Sequence, residues 1–253
     1  MASERKNSTP RIEFSVVTEN YISDWSFGQR FFEMLIATDA RLTPEKIGNS
    51  DDLIAYGDIS TFRPLWGRRV RLEGPFGPSD VLWPVAWHRS TKLESNGRTS
   101  FTDTSKKGNL IPGAISLSSA YDEATDWLRF FREICELTKA AAGFIHIPAR
   151  FERRENGYSP YYPGAAGSIL KKQLPNIAWA TFFGPPYSHE ADFAKLAEIG
   201  YHVEELAGGY LLLMSDNIMD SFNDFQTFSR RRIELKKHFR PDLFRITEEA
   251  QMP

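Results

Sequence analysis

The chain is poor in the residues from which many active sites are built. One cysteine, Cys135, among 253 residues excludes both an intramolecular disulfide and a cysteine-based zinc cage. That usage suits a reducing compartment, and a cytoplasmic location is expected. No apolar run approaches the ~20 residues that span a bilayer, and the N-terminal MASERKNSTPR is polar rather than signal-like, so no membrane contact is expected. Charge of one sign is missing too. Lys and Arg number 31 against 33 Asp and Glu, a formal net charge of −2, so no global field draws the chain to nucleic acid.

Catalytic spacing is equally scarce. The five histidines, His88, His146, His189, His202 and His238, fall in separate segments without HExxH or other metal-ligand spacing. There is no GxSxG elbow. The glycines at 164 and 167 are followed by Ser-Ile-Leu-Lys-Lys rather than by the Gly-Lys-Ser/Thr of a phosphate loop. Cys135 sits among the apolar residues of an amphipathic stretch, where a packed thiol is expected rather than a nucleophile. The expectation is a protein with no catalytic residue, no cofactor and no metal.

What is present is aromatic. The stretch NIAWATFFGPPY (176–187) ends in a Pro-Pro-Tyr triplet like that of amino-methyltransferases, where an Asp, Asn or Ser before the prolines holds the amine and the aromatic stacks on the base. Here that position is Gly184, which has no side chain to offer. No strand–glycine turn–helix unit for a methyl donor is visible either. The plainer reading is a strand over 177–183 that two prolines terminate, because they cannot donate to the ladder.

The pattern along the chain predicts an α+β protein of antiparallel sheets with packed helices. A strand is expected over 12–17 and a helix from an N-cap at Ser23 to about Ala40, with loop over the next thirty residues. An antiparallel meander follows over 69–120, with turns at EGPFGPSD, ESNGR and KKGNLIPG. A helix over 122–142, ended by Gly143, carries Trp127, Phe130, Phe131, Ile134 and Leu137 on one face. Further strands are expected over 144–147, 177–183, 201–206 and 210–214. A final helix should be capped by Asp220 or Ser221 and present Phe222, Phe225, Phe228, Ile233 and Phe239 as its apolar face. Two similar halves, 1–143 and 144–253, packed as one unit, are the expected organisation.

Charged stretches offer surfaces rather than sites. The segments 150–158 (RFERRENGY) and 229–240 (SRRRIELKKHFR) are basic and aromatic and suit phosphate contacts with stacking. Cations at a helix carboxyl end explain the second of them equally well. Acidic residues gather at Asp51-Asp52, at Glu204-Glu205 and at Asp216, Asp220 and Asp224. Caps and turns account for them singly; a shared face would make them a binding surface.

Over its last 80 or so residues the chain resembles bacterial immunity proteins of the immunity protein 52 and related type VI immunity families. The residues that carry this are the strand end Trp179-Ala-Thr-Phe182-Phe183-Gly184 and the downstream Gly208-Gly209 turn. Trp25 to Gly28 and Trp66-Gly67 stand nearest to the Trp-x-Gly signature of these families, and Phe131 to Cys135 nearest to their Tyr-x-x-x-Cys feature, with Phe in place of Tyr. The resemblance implies an α+β protein that binds and neutralises a cognate toxin, a nuclease effector of a contact-dependent type VI secretion system, without direct nucleic-acid contact. For such a partner the expected contact residues are Glu204, Glu205, Asp216 and Asp220, with Tyr187 and Tyr210 as aromatic anchors. The competing classes are an enzyme acting on nucleic acid through 150–158, and an assembly component of a phage or secretion apparatus.

Overall fold

Strand β1 (Arg11–Thr18) lies in the middle of the molecule, paired antiparallel with β10 (Gly113–Ala120) on one side and β11 (Ala142–His146) on the other. The computed structural model describes residues 9–49, 52–75, 77–152, 161 and 172–250. One antiparallel ten-stranded sheet organises them, in the order β13-β14-β12-β11-β1-β10-β7-β6-β2-β3. The remaining members are β2 (Lys46–Gly48), β3 (Leu53–Ala55), β6 (Val85–Arg89), β7 (Ser95–Ser100), β12 (Ala180–Phe183), β13 (His202–Leu206) and β14 (Gly209–Leu213). Two short ribbons stand apart, β4 (Arg69–Leu72) with β5 (Ser79–Leu82), and β8 (Asp103–Thr104) with β9 (Leu110–Ile111). The fold is α+β, as the periodicity predicts, and a boundary after residue 143 would fall inside β11.

The register shows why the two sheet faces differ. Successive strand residues point to opposite faces, so Phe14, Val16, Ile115, Leu117, Ile145, Phe182 and Leu211 share one face and are all buried. Helices α1 (Trp25–Thr38) and α2 (Trp127–Thr138) cover that face with Phe31, Phe32, Phe130 and Phe131. The Phe14 and Phe130 rings meet edge to face at 5.3 Å. Over β11, β12 and β14 the opposite face is covered as well. There Phe183 stacks on Phe239 at 5.2 Å, beyond the end of the last helix, α5 (Phe225–Lys236).

Several boundaries depart from the sequence reading, each for a local reason. The carboxylate of Asp24, rather than Ser23, caps α1 by accepting from Ser26 N at 2.7 Å. Helix α2 stops at Thr138, because Lys139 turns left-handed (φ 46) and Ala141 N already donates to Val17 O at 2.8 Å in the sheet. Gly143 therefore lies within a strand, and does not end the helix. ESNGR is not a turn: Gly97 is the middle of β7, where its bare Cα lets the Trp87 indole lie flat on the strand. The expected loop over 41–68 holds β2 and β3.

The final helix is broken. A short α4 (Asp220–Asn223) ends at Asp224, whose carboxylate accepts from Thr227 N at 3.2 Å and starts α5 afresh. Phe222 and Ile233, expected on its apolar face, are exposed, and Arg232 lies buried among the apolar side chains instead. Strand β12 starts only at Ala180, because Trp179 N–H is spent on His146 Nδ1 at 3.1 Å. Among the described residues no helix is long and apolar enough to cross a membrane.

Candidate functional site

The acidic residues singled out from the sequence do not converge on one face. Glu204 and Glu205 are neighbours on β13 and so point to opposite faces of the sheet. Glu204 turns towards α2, where Arg132 donates to it from Nη2 at 2.7 Å and from Nε at 3.0 Å. Glu205 is exposed and pairs in register with Tyr210, which stacks on Phe193 of α3 (Phe193–Glu198) with centroids 4.4 Å apart. Asp216 and Asp220 lie past the other end of the hairpin; Tyr210 and Leu213 alone are separated by about 10 Å of strand. Asp216 is exposed and Asp220 half-buried. Tyr187, expected as an aromatic anchor, is instead 2% exposed, and burial pushes its phenol up to about 12, so it belongs to the core rather than to a contact surface.

The Pro-Pro-Tyr corner is structural by its geometry. A Cβ on Gly184 would sit 2.2 Å from Ala140 O and 2.6 Å from Ala141 O, so the turn closes directly on the backbone between α2 and β11. The cavity beside Tyr187, which Ser15, Val17, Phe144 and Asn176 help to line, measures about 20 Å³. That is room for one water molecule, far short of the several hundred Å³ a cofactor needs. A larger concavity of about 560 Å³ is an open groove between α1 and α2, with Glu33, Glu133 and Glu136 interleaved with Arg30 and Lys139. Mixed charge of that kind is a solvated surface. Among the described residues no group of three or more His, Cys, Asp or Glu side chains is placed to hold a metal ion.

Among the described residues, the densest group of ionisable side chains is one that sequence reasoning missed. Glu152, in a 3-10 turn after β11, accepts from Tyr161 Oη at 2.7 Å, from Arg232 Nη2 at 3.0 Å and from Ala149 N at 2.8 Å. His146 Nδ1 accepts from Trp179 N–H, which leaves the ring proton on Nε2, and Nε2 donates to Glu152 at 3.1 Å. Arg232 Nη1 also donates to Tyr161 Oη and, at 3.2 Å, to Ile177 O. Its Nε donates to Glu249 at 2.6 Å, and Lys236 donates to the same carboxylate at 2.6 Å.

Electrostatics follow from this packing. Burial opposes ionisation of Glu152, but His146, Arg232 and the Tyr161 hydroxyl outweigh it and hold the carboxyl down at about 2. Burial alone would lower Arg232; Tyr161, Glu152 and Glu249 raise it above its ordinary range instead. Burial pushes the Tyr161 phenol well up and the Lys236 amine down. The side chains of this cluster are engaged with one another and withdrawn from solvent, so it fastens α5, β11 and the C-terminal segment together.

A signal for it existed in the sequence. Phe225, Phe228, Arg232 and Leu235 recur at helical spacing, all buried, and Arg232 occupies the apolar stripe. The run of three arginines at 230–232 hid which one turns inward. Of the basic segment 150–158, residues 153–158 lie outside the described residues.

No protein-family model matches the chain, and no curated protein matches it in sequence. Among solved structures it is similar to the Pseudomonas aeruginosa T6SS protein PA0821, with a TM-score of 0.61 at 9% identity, over 93% of this chain and 78% of that one. At that identity the likeness speaks for a shared fold, across nearly the whole length of the chain.

Proposed function

We propose that this chain is an immunity protein, which binds a cognate bacterial toxin and neutralises it without turnover of its own. The observation that carries this reading is the fold likeness to a T6SS protein over 93% of the chain. The resemblance of the last third to type VI immunity families points the same way. The toxin we assign is a nuclease effector of a type VI system, met in the cytoplasm of the cell that makes this protein. Two features of the molecule support a binder over a catalyst. Among the described residues the buried ionisable cluster around Glu152 and Arg232 has its side chains engaged with one another, and the cavity beside the Pro-Pro-Tyr corner has room for no more than one water molecule.

The test is co-expression with the toxin encoded beside this gene. Survival of the host, together with a stable stoichiometric complex of the two purified proteins, is the expected result. Death of the host despite soluble expression would sink the immunity reading. Co-purification with tail, sheath or baseplate proteins instead would assign the chain to assembly.

A further inference from the structure

The two edges of the ten-stranded sheet are built differently. At one end, β13 carries Glu204 and Glu205, charges of the kind that natural edge strands use to repel further pairing. At the other end, β3 is Leu53-Ile54-Ala55, without a charge, a proline or a bulge, and all three residues are exposed. Leu53 is 39% and Ile54 47% accessible. β3 pairs with β2 alone, so its outer edge is open among the described residues.

The register adds direction to that opening. Ile54 lies opposite Ile47, and Ile47 opposite Trp87, so the three side chains form one row on the face that α1 covers. Ile47 and Trp87 are fully withdrawn from solvent; the row simply stops at an exposed isoleucine. On the other face Leu53 and Ala55 flank the edge. Asp52 precedes the strand and Asp58 follows it, both exposed, and Ser60 holds the Asp58 carboxyl below its ordinary range through hydrogen bonds. Lys46 is paired in register with Ala55 one strand inward.

We propose that the outer edge of β3 is the docking surface of the chain, and that the toxin adds an extended segment to it as a further strand. The segment that fits carries an apolar side chain opposite Ile54 and lysine or arginine at its ends, facing Asp52 and Asp58. Main-chain hydrogen bonds supply affinity in this mode, and alternate side chains supply selectivity. A nuclease, with the basic surface its substrate requires, is a suitable source of such a segment. The identity of the partner rests on the immunity reading; the chemistry of the edge does not.

The experiment compares the parent with Ile54→Lys, which places a charge on an exposed edge position. Unchanged melting temperature and circular dichroism establish that the variant is folded. Affinity for a catalytically inactivated copy of the neighbouring toxin is measured by calorimetry, and amide exchange is followed at residues 53–55. The expected result is at least tenfold weaker binding by the variant, and new protection of those amides in the parent complex. Equal binding by parent and variant overturns the β3 surface and leaves the immunity reading standing. If the parent binds no toxin, the immunity reading falls, and a labelled peptide of alternating valine and lysine decides the edge by itself. Peptide binding that Ile54→Lys abolishes supports the edge, and absence of peptide binding overturns it. A dimer of the chain alone that Ile54→Lys dissociates makes a second copy the occupant and overturns the proposal as well.

Discussion

Arg232 donates to Glu152 at 3.0 Å across 80 residues of chain, with both side chains almost wholly out of water. The same guanidinium reaches Glu249 near the C-terminus, so a single residue of α5 holds two distant segments. Removing one member of such a group leaves the others buried without compensation. Arg232→Ala should therefore cost ~3–5 kcal/mol in urea denaturation. Arg232→Lys should not rescue it, because an ammonium cannot reproduce the fork that binds Glu152, Tyr161 and Glu249 together. A cost below about 1 kcal/mol for the alanine variant would show the cluster to be peripheral to stability.

The same carboxylate makes stability depend on acid. Glu152 is held at about 2 in the folded chain against an ordinary 4.5, so between those values the unfolded chain binds the extra proton. The sign is then fixed: this contribution is present above about pH 4.5 and is lost as pH falls towards about 2. Asp39, held at about 2 mainly by its hydrogen bond to Arg41, acts in the same direction. Melting temperature measured against pH should fall steeply through this window in the parent and less steeply in Glu152→Gln. Identical slopes would remove Glu152 from the acid response.

Gly184 offers a direct check on the Pro-Pro-Tyr corner. Gly184→Asn would complete the four-residue Asn-Pro-Pro-Tyr motif of amino-methyltransferases, yet its Cβ would press on the Ala140 and Ala141 carbonyl oxygens. The expected outcome is destabilisation by roughly 1–3 kcal/mol, the usual cost of overpacking. With S-adenosylmethionine and DNA, neither parent nor variant should transfer a methyl group. Transfer by the parent that disappears in Tyr187→Ala would restore the corner to an active site.

Trp179 should behave as core. It is 4% exposed, and its indole Nε1 donates to Ser215 O at 2.9 Å. Trp179→Ala should lower stability by ~3–5 kcal/mol, read from the denaturation midpoint. Little change would mean that the ring contributes no packing there.

Glu204 is a poor probe of partner binding, because its charge is already committed to Arg132. Both side chains are about one-third exposed, so solvent weakens the pair, and Glu204→Gln should cost less than about 1 kcal/mol. Glu205→Lys, on the opposite face, leaves that pair intact. Toxin affinity unchanged by Glu205→Lys would place the contact away from β13, whereas a tenfold loss would restore that edge as the interface.

Where periodicity spoke through apolar residues, the sequence was legible. Phe130, Phe131 and Ile134 announced α2, and the alternation through Phe14 and Val16 announced β1. Glycine misled twice: Gly97 and Gly143 read as turn or stop, yet each lies within a strand, where a Cβ on Gly97 would overlap the Trp87 indole and one on Gly143 would crowd Val16 Cγ1 at 3.0 Å and the Phe131 ring at 3.2 Å. Strands β2 and β3 were illegible, since three residues are too few to show a period and their pairing is a property of the sheet.

Local chemistry by itself determined the α+β class of the protein, through amphipathic helices and alternating strands. Those features depend on neighbours in sequence, so they can be read there. Only the tertiary structure decided which charges are free and which are spent. Glu204 and Glu205, adjacent in sequence, were sent to opposite faces by the two-residue period of a strand. Glu152, Arg232 and Glu249, far apart in sequence, were brought into one buried group by the packing of α5 against β11. The open edge at Leu53 and Ile54 was likewise settled by strand order, because whether a strand has a second neighbour depends on how the whole chain is arranged around it.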